Sequence, residues 1–192
     1  MSVVNKYDVQ KVTVASQEDT QQIIARLGSK DGLIRQSARQ GLEEIGKPIV
    51  PLLLESLENS SNEHQRWEIL KILDHLRDPE SAPDLVEMLQ DERAGNRWLA
   101  ADALVNLGYW GLEPLLQGLV NNFSSVWFRE GAHHILRAFH EKGMLNSDIE
   151  HILAALEGVE PAVEAPWAAE TALERMHRAQ ERDAIRRQQN SK

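Results

Sequence analysis

Apolar residues recur along the chain in a helical register that repeats. Aligned on Arg35, Arg66, Arg97 and Arg129, which are spaced 31, 31 and 32 residues apart, and extended to Pro166 after a further 37, five segments share one pattern. Three residues past the anchor come Ala38, Ile69, Ala100, Ala132 and Ala169; seven past it come Leu42, Leu73, Leu104, Leu136 and Leu173; ten past it come Ile45, Leu76, Leu107, Phe139 and Met176. The sixth offset is small or apolar too, with Gly41, Ile72, Ala103, Ile135 and Ala172. These offsets fall on one side of an α-helix, so each segment is predicted to be amphipathic with a single buried stripe.

A second apolar-periodic segment precedes each of these. It reads Pro51 to Leu57, Pro83 to Leu89, Pro114 to Val120 and Asp148 to Leu156, with Thr20 to Leu27 as a matching opener. The prolines belong at or near a first turn, where no intrahelical N–H is needed. Gly46, Gly108 and Gly143 mark helix ends that call for a left-handed residue. The prediction is an all-α chain of about five helical hairpins over residues 18–176. Residues 1–17, rich in β-branched side chains, are an extended or disordered arm, and 177–192 a basic, fraying tail. A single hairpin has too little apolar face to fold alone and buries it on its neighbours, which gives a right-handed α–α superhelix.

The first unit carries Asp-x-x-Ile-Arg from Asp31 to Arg35, then Ala38, Leu42 and Ile45-Gly46. A hairpin of this length with these residues resembles the HEAT repeat, and specifically its shorter phycobilisome-lyase-like variant, over about 160 of the 192 residues. The Asp31 position becomes Asn62, Arg93 and Ser125 in the next three units. The resemblance implies a HEAT-like solenoid that binds through a concave surface lined by the second helix of each hairpin. It also implies, as an alternative, an accessory factor or subunit of a bilin lyase or related pigment-protein processing system.

Composition narrows the chemistry. With no cysteine there are no disulfides, thiolate metal sites or cysteine nucleophile. A net charge of −9 repels phosphate backbones and argues against nucleic acid. Apolar runs are far too short to cross a bilayer, and the start lacks the order of a secretory signal, so a cytoplasmic protein is expected. No glycine-rich phosphate loop or nucleophile motif is present, and no enzyme is predicted.

The helix face opposite the predicted core is where a function is expected. Offset one reads Gln36, Trp67, Trp98, Glu130 and Trp167, which places three indoles on helices that already have a core stripe. Leu70, Ala101, His133 and Arg137 are assigned to the same face. Since packed helices lie about 8–10 Å apart, Trp67 and Trp98 are expected to form an apolar floor rimmed by charge, as a protein or peptide interface would. Alternatively, each ring folds sideways and completes the packing between hairpins. Arg97, Arg129 and Arg137 are expected to meet acidic groups at the rim. Glu130 precedes His133 and His134 by three and four residues, so a metal cluster is geometrically possible. HEAT-like deoxyhypusine hydroxylases bind paired iron through repeated His-Glu pairs; here His140-Glu141 has that order and the equivalent positions of other repeats do not. The reading is therefore a non-enzymatic scaffold without cofactor or metal, whose binding residues are Trp67, Leu70, Trp98, Ala101, Arg129, Glu130, His133, Arg137 and Trp167. Its partner is a protein or peptide, which includes a tetrapyrrole-carrying protein.

Overall fold

The computed structural model describes residues 19–144 and 147–190. The expected N-terminal arm, 1–17, and the last residues of the tail lie outside them. Every regular element among the described residues is helical, and contacts divide the chain into two compact units, Met1–Ser81 and Ala82–Lys192.

The first unit holds α1 (19–26), α2 (Gly32–Ile45), α3 (Val50–Asn59) and α4 (Glu63–Leu76). The second holds α5 (Ala82–Glu87), which tightens into a 3₁₀ turn at Met88–Gln90, then α6 (Ala94–Leu107), a 3₁₀ turn at Gly108–Gly111, α7 (Leu112–Asn121), α8 (Val126–Glu141), α9 (Ser147–Leu156) and α10 (Pro161–Asn190). Pro51, Pro83 and Pro114 fall in the first turns of α3, α5 and α7, where a missing N–H costs nothing. Gly46, Gly108 and Gly143 all adopt positive φ, of 81°, 64° and 67°. At the equivalent end of α4 the position is Arg77, left-handed at φ 49°.

The third and seventh offsets from the anchor are buried in all five repeats. The tenth is buried as Leu107 and Phe139, half-buried as Leu76 and Met176, and exposed as Ile45. In the first unit α4 packs on α2 and α3. A carboxylate braces that contact: Glu68, buried on α4, accepts from Arg39 Nε at 2.9 Å and Lys71 Nζ at 3.2 Å, with Arg35 at 3.7 Å. In the second unit α5 packs on α6 and α7, and α6 and α7 both pack on α8. First-position helices α5 and α7 thus make one layer and second-position helices α6 and α8 another.

The anchor arginines have a structural role that the repeat alone did not reveal. Each reaches back six residues to the loop before its own helix. Arg35 donates to the carbonyl of Ser29 at 2.7 Å, Arg66 to that of Ser60 at 3.3 Å and Arg97 to that of Asp91 at 2.8 Å; Arg129 donates to that of Phe123. A guanidinium suits this because it offers several fixed donors to groups that no helix satisfies. Four residues before each anchor sits the helix cap. Asp31, Asn62 and Ser125 accept from the backbone N–H of Leu33, of His64 and Gln65, and of Phe128 respectively. Arg93 cannot do so, and no side chain caps α6; Asp91 instead accepts from the cap residue's own backbone, Arg93 N, at 2.8 Å, as Ser29 and Ser60 do from Asp31 and Asn62, and from Asn96 Nδ2 at 3.1 Å.

The fifth pair departs from the expected plan. Its second helix opens at Pro161 instead of Pro166, which lies inside α10 and costs that helix one hydrogen bond. In a regular stack α10 would lie on α8; instead α10 packs chiefly on α9 and α7, while α9 lies on α8. The face of α10 that makes this possible is built of small side chains, with Ala165, Ala168, Ala169 and Ala172 buried beside Leu173. The tail expected to fray from His177 is, as far as Asn190, a continuation of α10 with every described side chain past Met176 exposed.

Candidate functional site

Within the second unit, α6 and α8 bring one indole and its surroundings together. Trp98 follows the anchor Arg97, whose clamp on the preceding loop fixes where α6 begins, and the ring keeps 54% of its surface exposed. His134 of α8 meets it edge-on, with ring centroids 4.9 Å apart and planes at 89°. One turn along α6, Asp102 Oδ1 lies 3.3 Å from His134 Nε2, so the imidazole is held between a carboxylate and an indole. Beside them Arg97 stacks over Trp127, its guanidinium carbon 4.5 Å from the ring centroid, while Trp127 remains 47% exposed. Phe123 and Val126, flanking the start of α8, are exposed as well. The second unit therefore carries an exposed apolar and aromatic face in which two charged or polar side chains orient the two indoles.

Further along α8, His133 Nε2 lies 3.0 Å and Arg137 Nη1 3.4 Å from the same oxygen, Glu157 Oε1, and Arg137 also pairs with Glu141 at 3.7 Å. His133 and Arg137 thus act as one acid-paired rim. The histidines turn to Glu157 and Asp102 and leave Glu130, which is exposed on α8, outside the His/Glu cluster that the spacing allows. Among the described residues no group of three or more His, Asp and Glu is placed to hold a metal ion.

Several expectations need correcting. Leu70 and Ala101 are buried and line no open surface. The helical wheel assumed a single direction of contact, whereas α4 touches both α2 and α3 and α6 touches both α5 and α8, which widens the buried arc to cover the fourth offset. Arg129 turns its guanidinium to the Phe123 carbonyl, as Arg97 does to that of Asp91. Trp167 is 70% exposed but stands on α10, whose packing partners are α9 and α7, so it does not extend the α6–α8 face. Trp67, on α4 of the first unit, is 40% exposed. Trp127 escaped the offset-one alignment because it lies two residues before its anchor; the available signal was an indole and a valine in the cap region of a helix whose core was already accounted for.

Residues 20–104 match the family of HEAT repeats, which spans the first unit from α1 onward and the second as far as α6. No curated protein matches the chain. No helix among the described residues is long and apolar enough to cross a membrane.

Proposed function

We propose that this protein is a non-enzymatic interaction module that grips a segment of another protein on the α6–α8 face of its second unit. The observation that carries the reading is Trp98: a large apolar ring on a helix with a complete core, half in solvent, yet fixed edge-on by His134. Burying an exposed indole is worth several kcal/mol in an interface, and such rings flanked by polar groups are the usual energetic centres of protein contacts. Trp127 under Arg97 supplies a second anchor. Asp102 and the Glu157-paired His133 and Arg137 supply a polar rim of mixed sign. A flat tetrapyrrole is the poorer occupant, since the Trp98 and His134 planes cross at 89° and Arg97 covers one face of Trp127, leaving no parallel pair of rings to sandwich a macrocycle.

The reading is tested by placing a photo-crosslinking amino acid at position 98 and at the exposed control position Glu58 on α3. Adducts to one protein from position 98 alone support it. Equal labelling from both positions, or none from position 98, contradicts it.

A further inference from the structure

The opposite layer of the second unit holds a feature that the α6–α8 reading does not use. A cleft of about 760 Å³ opens between α5, α7 and α10, within the size range of ligand-binding pockets. The turn Gly108-Tyr109-Trp110-Gly111 builds one wall. Gly108 takes φ 64°, and a Cβ on Gly111 would lie 3.0 Å from Leu104 Cδ2, so the turn sits tight on α6 and throws Tyr109 and Trp110 outward. Tyr109 is pinned by donating its hydroxyl to the Met144 carbonyl, and Trp110 is 70% exposed. Pro83, Pro114 and Met176 complete the apolar lining.

The polar groups around this lining all point to one kind of guest. Its charged side chains among the described residues are the carboxylates Glu87 and Glu113, and no described Lys or Arg lines it. Glu113 already lies 2.9 Å from His177 Nε2 and accepts from Gln180 at 3.4 Å, whereas Glu87 has no ion pair among the described residues. Gln117 and Gln180 also line the cleft, each giving an amide N–H to a neighbour, Asn121 Oδ1 and Glu113 Oε2, both at 3.4 Å, and keeping a carbonyl oxygen and a second N–H. Amides facing a guest serve one whose own backbone N–H and C=O groups are unsatisfied, which is true of an extended or polyproline segment and not of a helix. Aromatic and proline side chains offer flat surfaces on which proline rings or a guanidinium stack.

We infer that the cleft between α5, α7 and α10 is a second docking surface, which takes an extended, apolar or proline-bearing segment of another protein that carries arginine or lysine. The cation pairs with Glu87 and packs on Trp110, while the apolar side chains fill the space between Pro83, Pro114 and Met176.

The test uses a displayed library of random linear peptides selected on the full chain. Enriched peptides that combine arginine or lysine with proline or bulky apolar residues, and whose affinity falls about ten-fold or more with both Trp110→Ala and Glu87→Gln but is unchanged by Trp98→Ala, support the inference. Both altered side chains are exposed, so circular dichroism and melting should match the parent protein. No enrichment, enrichment of acidic peptides, or binding that survives Trp110→Ala overturns it. Loss with Trp98→Ala instead overturns the cleft and assigns the peptides to the α6–α8 face.

Discussion

At the scale of single residues, side chains that look alike in sequence have different surroundings. Leu70 and Trp98 both sit near an anchor arginine, yet one is sealed in the core and the other is half in solvent. Leu70→Ala removes buried methyl groups and leaves a cavity, for an expected loss of about 2–5 kcal/mol. Trp98→Ala gives up only the covered half of a ring and creates no enclosed void, so less than about 1.5 kcal/mol is expected. Urea titrations of the two variants decide the matter. A loss for Trp98→Ala as large as that for Leu70→Ala would mean that the indole is core, as in the sideways-folded alternative. Arg77 is a second residue-scale case. Its backbone is left-handed at φ 49°, where Gly46 and Gly108 stand at the ends of α2 and α6. Arg77→Gly relieves that strain and is expected to raise stability by up to about 1 kcal/mol, visible as a higher melting temperature.

At the scale of elements, the second unit is held by close approach as much as by apolar bulk. Gly118 of α7 faces Phe128 and Val86, and a Cβ there would lie 2.3 Å from Phe128 Cζ and 2.8 Å from Val86 Cγ1. Gly118→Ala therefore forces α7 away from α8 and α5, at an expected cost of about 1–3 kcal/mol even though alanine is the better helix former. A gain in stability on calorimetry would show that the contact is looser than the geometry states. The loop clamps belong to this scale too. Arg35, Arg66, Arg97 and Arg129 recur because the loop carbonyls behind each second-position helix need donors, not because a ligand needs cations. Recurrence of a charged residue therefore marked the architecture, and the functional signal lay in the rings beside it.

At the scale of the whole chain, the all-α repeat was legible because burial imposes a period on side chains, and alanine or isoleucine at offset three and leucine at offset seven report it directly. What was not legible depends on which elements meet. One wheel per helix could not foresee that α6 would be covered from two sides and so bury Ala101. No pattern along the chain said that α10 would lie on α7 in place of α8, taking Trp167 away from the α6–α8 face. Tyr109 and Trp110 fall outside the repeat register, although two aromatic residues between two glycines are a readable sign of a turn that shows them to solvent. The continuation of α10 gives a prediction at this scale. Residues 182–189 are exposed, so removing 182–192 should shift the melting temperature by no more than about 2 °C. Removing residues 161–192 uncovers α7 and α9 and should leave the second unit without a cooperative transition.

The central claim is that the exposed indoles of the α6–α8 face hold a partner protein. The most direct measurement is quantitative capture by the parent protein and by a Trp98→Ala, Trp127→Ala double variant, with unfolding midpoints measured on the same samples. The account predicts a partner retained by the parent protein and lost from the variant, while the variant stays fully folded at the capture temperature. Equal retention of that partner by a folded double variant would contradict it.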